Sequence, residues 1–256
     1  MKKFFLYVLF LMGGLALVIG LTIGIVIHAR GEEKPEGQAG PAAEALTNKI
    51  ESAVDLAAWR EKTRAAEFVF LLTGTRHFRD MGRKLVEVRY KSGGGEYLVQ
   101  YDEASARRLA KKNGIALRGA ALDAAFREAR KQHTNDFFWL NPFAALRAPG
   151  ALRQKVGERA LLVTFQSGGE TPGDSFLFVT DQTGKPLYFK MWVSIIPLKG
   201  FQADFRGWVK TPQGALLSLE HPTFVKAVNL RLKGAYQKYP SENGEDRFKE
   251  LLTLPK

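Results

Sequence analysis

The chain has 256 residues, of which 45% are hydrophobic and 25% are charged, with a formal net charge of +12 and no cysteine. This composition excludes a collagen-like, a low-complexity and a wholly disordered chain. The lack of cysteine excludes disulfides, thiolate zinc sites, iron–sulfur clusters, cysteine nucleophiles and anchoring through a lipid-modified cysteine.

Residues 4–27 form an apolar segment without a charge, preceded by Lys2 and Lys3. As a helix with a rise of about 1.5 Å per residue, the segment is about 36 Å long and exceeds a hydrocarbon core of about 30 Å. The residues after it make a poor signal-peptidase site, so we predict an uncleaved transmembrane signal anchor. The two lysines favour a cytoplasmic N-terminus, residues 1–3, and place the remaining chain outside the cytoplasm, on the inner membrane.

Residues 31–43 read GEEKPEGQAGPAA and predict a flexible linker, because they combine glycine, proline and charge without apolar periodicity. A first helix is predicted from Pro41 to about Trp59, with Leu46, Ile50 and Val54 on one apolar face.

Alternating apolar residues then predict antiparallel strands on both sides of the glycine-rich turn at residues 92–95. A short helix is predicted from Asp102 to the Asn113–Gly114 pair. A second helix follows, with helical spacing of Leu122, Ala125, Phe126 and Ala129. The aromatic residues between positions 137 and 143 are expected to be buried.

From residue 159 onwards, short alternating segments separated by turns predict an antiparallel meander. The predicted strands are 159–166, 175–180, 186–194, 200–209, 214–220 and 224–232. With the earlier strands, roughly nine to eleven result, a number at which a twisted sheet curls. The sequence therefore predicts one α+β domain, residues 44–256, in which helices cover a curved antiparallel β-sheet, or half-barrel.

One face of the predicted meander is apolar at period two, and we expect it to line a concavity that accepts a lipid or another amphiphile. The candidate ligand-binding residues are Phe165, Phe176, Phe178, Phe189, Met191 and Phe205. The same residue types fill packed cores, so composition alone leaves open whether the concavity is hollow.

The order of elements resembles the LolA/LolB-type half-barrel superfamily: a targeting segment, a lead-in helix, consecutive strands, a helical segment and a long meander. The early hairpin, from Gly82 to Leu85 and on to Tyr97–Asp102, is similar to the first strands of that family, which often end in an aromatic–Asp pair. The resemblance implies an envelope protein whose apolar cavity accepts acyl chains. The chain departs from the family because it has a predicted helical anchor and no lipidation cysteine.

An enzymatic alternative centres on His77, His221 and Asp174. His77 precedes Asp80 by three residues, but positions i and i+3 of a strand face opposite sides, so this pair is not expected to act together. Asp174 ends a loop of glycine, threonine and proline, for which a hairpin connection is the commoner explanation. No cofactor and no metal ligand set is predicted from the sequence.

Without Lys2, Lys3 and Arg30 the net charge is still +9, so the predicted domain is itself basic. The candidate headgroup-binding residues are Arg107, Arg108, Lys111, Lys112, Arg127 and Arg130. Such basic groups attract anionic headgroups. No base-reading or stacking motif is present, so nucleic acid is not a predicted partner.

The leading hypothesis is a single-pass envelope protein that binds or presents an amphiphile. The alternatives are the histidine-centred enzyme and an interaction module that contacts another envelope protein through a sheet edge.

Overall fold

The computed structural model describes residues 29–167, 172–241 and 244–255. Residues 1–3 and the predicted membrane segment 4–27 lie outside the described residues. Within the described ranges, no helix combines the length and the apolar character needed to cross a membrane.

The described part of the chain contains fourteen strands in two antiparallel sheets. The first sheet has the order β12-β13-β14-β1-β2-β3-β4-β5-β6, and its strands are β1 (Ala65–Phe70), β2 (Thr75–Asp80), β3 (Leu85–Ser92), β4 (Gly95–Asp102), β5 (Arg108–Lys112), β6 (Ile115–Ala116), β12 (Arg206–Lys210), β13 (Leu216–His221) and β14 (Val228–Tyr236). The second sheet has the order β11-β10-β9-β8-β7, and its strands are β7 (Ala151–Val156), β8 (Ala160–Phe165), β9 (Ser175–Thr180), β10 (Pro186–Trp192) and β11 (Phe201–Asp204).

The helices of the described chain are α1 (Pro41–Ala53), α2 (Leu56–Lys62), α3 (Gly119–Leu140) and α4 (Lys249–Leu252), with a short 3-10 turn at Pro142–Ala145. The predicted first helix is thus two helices. The break is at Asp55, which has a φ of 46° and accepts a hydrogen bond from the Ala58 backbone N–H with its side chain. This left-handed residue ends one helix and caps the next.

Helix α3 confirms the predicted second helix and extends it through the aromatic residues up to Leu140. It packs on β3, β4 and β5 of the first sheet, with Ala125 and Ala129 buried against the strands. Helix α1 packs on β7 and β8 of the second sheet. The largest core lies between the two sheets and includes residues of β1, β13 and β14 as well as β8, β9 and β10.

Antiparallel sheet with packed helices is therefore confirmed, but the prediction of one curved sheet of roughly nine to eleven strands is wrong. The predicted strand 200–209 is divided at Phe205 into β11 of the second sheet and β12 of the first. Strand β14 pairs with β1, which brings the last strands into the first sheet. Alternation identifies a strand but not its neighbour, and this is why the division was not foreseen.

The predicted short helix after Asp102 is also wrong, because residues Arg108–Lys112 form β5 and pair with β4. The Asp102 side chain accepts hydrogen bonds from the Ala104 backbone and the Ser105 hydroxyl, which makes a turn rather than a helix N-terminus. Asn113 and Gly114 have φ values of 50° and 80°. Two consecutive left-handed residues suit a tight hairpin turn, here from β5 to β6.

The predicted linker, residues 31–43, is in contact with the second sheet. Gln38 exchanges backbone hydrogen bonds of 2.8 and 2.9 Å with Lys155 on the edge strand β7. The Glu32 backbone N–H donates to the Lys199 carbonyl, 3.0 Å away. The last residues of this segment, from Pro41, already belong to α1. The segment therefore runs along the second sheet rather than apart from it.

Candidate functional site

The six candidate ligand-binding side chains lie in the core between the sheets. The Phe189 ring centroid is 6.2 Å from that of Phe176, 5.9 Å from that of Phe178 and 5.2 Å from that of Phe205. Met191 is buried in the same cluster. Ring centroids at these distances are in direct contact, so the side chains pack on one another instead of facing an open chamber.

Aromatic residues at the end of α3 and in the 3-10 turn pack against this core. The Phe138 ring is 4.6 Å from the Phe176 ring, and the Phe143 ring is 5.1 Å from the Phe205 ring. Phe165 is 5.8 Å from Phe176 and only partly buried. The predicted aromatic cluster is therefore the layer that occupies the predicted concavity.

A buried polar cluster joins β2 to α3. His77 Nε2 is 2.7 Å from Asp136 Oδ2, and His77 Nδ1 is 3.2 Å from His133 Nδ1. The His77 ring also stacks on Phe68, with 4.6 Å between centroids. As predicted, Asp80 is not part of this group, because it pairs with Arg64 and Arg83.

This cluster is closed to solvent and suits a structural role. The side chains of His77 and Asp136 are 0% and 4% exposed, and burial, followed by the charges of His77 and Arg79, lowers the pKa of His133 well below its ordinary value. No group of three or more histidine or acidic residues in the described chain is arranged to hold a metal ion. The cluster holds α3 on the first sheet through a carboxylate–imidazole bond.

His221 and Asp174 lie elsewhere. His221, at the end of β13, contacts Trp139 and Phe205 at ring distances of 5.3 and 5.6 Å. Asp174, on the loop before β9, accepts a hydrogen bond from the Ser194 backbone. His77 therefore contacts Phe68 and His133, whereas His221 contacts Trp139 and Phe205, and no direct contact between the two histidines is recorded among the described residues. The enzymatic alternative gains no support from this arrangement.

The His221 side chain is completely buried. Neither ring nitrogen has a hydrogen-bond partner among the described residues. Burial lowers the pKa of His221 to about 4, and the nearby backbone of Asp204, Trp139 and Ser218 offsets this only partly. The imidazole is therefore held in its neutral form.

The candidate headgroup-binding residues are divided between two elements rather than placed on one helical region. Arg108 pairs with Asp123 at 2.8 Å, Lys111 pairs with Glu250, and Lys112 lies over the Tyr97 ring. Arg107, before β5, is 3.9 Å from Asp102. Arg127 and Arg130 lie on the exposed side of α3. The basic residues around β5 therefore already have partners within the domain.

An open groove of about 560 Å³ lies where the described chain begins. It is lined by Ala29–Glu32, Leu198, Gly200–Gln202, Asp204 and Pro222–Phe224. The Arg30 guanidinium lies 5.0 Å from the centroid of the Phe224 ring, and the Phe201 ring lies 5.4 Å from the same ring. The lining combines apolar side chains with charged and amide groups.

Sequence reasoning missed this groove because its parts are far apart in the chain and meet only through tertiary contacts. The Trp192 indole N–H donates to the Glu32 carbonyl at 2.7 Å, which fixes the first residues beside the β10–β11 loop. The one available signal was the aromatic and apolar content of the loop at residues 222–225.

No family model matches the chain, and no curated protein matches it. The similarity to LolA/LolB-type half-barrels therefore stays a prediction from the order of elements.

Proposed function

We propose that this is a single-pass envelope protein that binds an amphiphile in the groove beside its predicted membrane segment. The observation that carries the proposal is the amphipathic lining of the groove next to Ala29, two residues after the predicted segment. The ligand class is the one that the sequence analysis favours. The binding site is moved from the interior, which is packed, to the surface.

The lining provides the two kinds of contact that an amphiphile needs. Leu198, Phe201 and Phe224 offer apolar surface, and Arg30 offers a cation for an anionic headgroup. The groove volume of about 560 Å³ is within the range of small-molecule sites. Each methylene that leaves water contributes about 0.8 kcal/mol, so one acyl chain can be held without many specific polar contacts.

The competing functions have less support. A buried imidazole such as His77 or His221 has no access for a substrate. For the interaction module, two of the sheet edges are poorly suited to pairing with a strand of another protein. Edge strand β12 contains Gly207 with a φ of 57°, and edge strand β7 is already bonded to Gln38.

The test uses the full chain in lipid nanodiscs that contain a diazirine-bearing lysophosphatidylglycerol as the probe. After irradiation, mass spectrometry is expected to find crosslinks in residues 198–204 and 222–224. The variant Gln202→Trp places an indole in the groove, and we expect it to reduce these crosslinks about tenfold, which corresponds to about 1.4 kcal/mol. Crosslinks in residues 4–27 should persist.

The matched control is Leu187→Trp, which adds the same side chain at a half-exposed position of β10 outside the groove. It should leave the groove crosslinks unchanged. Wild-type protein without crosslinks in residues 198–204 and 222–224 would contradict the proposal, as would equal losses in the two variants.

A further inference from the structure

Most exposed large apolar side chains of the described chain lie at one end of the first sheet. Six of them define what we call the end face: Leu71, Leu72, Ile195, Phe224 and Val225 in turns or loops, and Ile115 at the start of β6. Ile195 and Val225 are both 71% exposed. Contiguous exposed apolar surface on a protein marks a site that binds something.

The strand registers show that these turns share one end. Phe70, the last residue of β1, pairs with Thr75 of β2 and with Leu230 of β14, so the β1–β2 turn and the β13–β14 loop leave the sheet side by side. Leu71 N–H donates to the Asn229 carbonyl at 2.9 Å. Because the strands are antiparallel, the β3–β4 and β5–β6 turns leave at this end as well.

The β10–β11 loop of the second sheet joins the same surface. Phe201, at the start of β11, contacts Phe224 of the β13–β14 loop. Ile195 lies in the β10–β11 loop itself. The two sheets therefore contribute neighbouring loops to one surface.

The first described residues also lie at the end face. Ala29 and Arg30 line the groove between the β10–β11 and β13–β14 loops. The apolar segment 4–27 ends two residues earlier in the sequence. A membrane span at those positions leads directly to the end face.

The end face carries several exposed cations beside acidic groups. Arg76, Lys91, Lys199 and Lys226 are exposed on or beside these loops, together with Arg30. The acidic groups there are Glu32, which pairs with Lys190, Glu33, which pairs with Lys199, and Glu96, Asp174, Asp204 and Glu220. Arg76, Lys91 and Lys226 are exposed cations that lipid phosphates can approach.

We propose that the end face rests on an anionic lipid bilayer, with its apolar side chains among the headgroups and its lysines and arginines on lipid phosphates. This goes beyond amphiphile binding in the groove, because Leu71, Leu72, Ile115, Ile195 and Val225 do not line the groove. The apolar side chains of the end face contact the bilayer, and its cations favour bilayers that contain anionic lipid.

The lack of native cysteine permits a direct test with single-cysteine variants. Leu71→Cys, Ile195→Cys and Val225→Cys report on the end face, and Leu187→Cys and Leu252→Cys are exposed controls away from it. Each full-length variant carries the fluorophore NBD and is reconstituted in vesicles of phosphatidylcholine and phosphatidylglycerol. We expect blue-shifted emission at the three end-face positions and about twofold stronger quenching by brominated lipid than at the controls.

Vesicles without phosphatidylglycerol should weaken the quenching. Equal quenching at Val225 and Leu187 would overturn the proposal. The proposal would also be overturned if the Val225 label did not respond to lipid but became more buried as the protein concentration in detergent was raised. That result would assign the end face to contact with a second copy of the chain. Quenching at the end face in a wild-type chain that shows no groove crosslinks would mean that the groove proposal alone fails, and groove crosslinks without quenching at the end face would mean that the end-face proposal alone fails.

Discussion

Phe189→Ala is expected to lower the free energy of unfolding by about 3–5 kcal/mol. The side chain is 1% exposed and contacts rings from both sheets and from α3, among them Phe178, His221 and Trp139. Its removal leaves a cavity in the middle of the aromatic core, and rigid neighbouring rings cannot collapse fully into it.

Urea unfolding of the full chain in detergent, followed by tryptophan fluorescence, measures this effect. Leu187→Ala, two residues earlier on the same strand, is the matched control and should change the free energy of unfolding by about 0.5 kcal/mol or less. A loss below about 1 kcal/mol for Phe189→Ala would mean that the ring does not fill the core, and it would restore the hypothesis of an interior chamber.

Acidification is expected to destabilise the protein between pH 6.5 and about pH 4. His221 has an ordinary pKa of 6.5, and burial lowers it to about 4 in the folded state. Below pH 6.5 the unfolded chain binds a proton that the folded chain does not, so stability is complete above this pH and is lost as the pH falls. The loss for His221 is about 3 kcal/mol over the whole range. Burial of His133 acts in the same direction.

The measurement is the free energy of unfolding in urea at several pH values. His221→Phe keeps a ring among Trp139, Phe189 and Phe205 but cannot be protonated. We expect this variant to be more stable than wild type near pH 4.5 and to show a flatter pH dependence. An unchanged slope in His221→Phe would show that His221 is not the group responsible.

The elements predicted correctly from the sequence are those whose residue pattern depends only on neighbours in the chain. Strands β3 and β4 alternate clearly around a glycine turn, and helix α3 carries its buried residues at helical spacing. The segment around Leu109 and Ala110 fitted a short helix equally well, and only pairing with β4 makes it a strand. Sheet membership depends on which distant strand lies next to each strand, and alternation does not contain that information.

The same reasoning applies to the sites. His133 and Asp136 are one turn apart on α3, and their shared face could be read from the helical pattern, but their contact with His77 requires the packing of α3 on β2. The aromatic residues of β9 and β10 were identified correctly as inward-facing. Whether they line a chamber or fill a core depends on Phe138 and Phe143, which arrive from another element.

The contacts of residues 31–40 restrict how far the domain can travel. For a span that ends at Ile27, the chain up to Glu32, the first residue bonded to the β10–β11 loop, can extend by about 17 Å at most. If residues 4–27 span a membrane, a connection this short would keep the domain at the bilayer and would deny it the reach that a shuttling carrier needs. Encounters with ligands or proteins would then be a lateral, two-dimensional search along one leaflet.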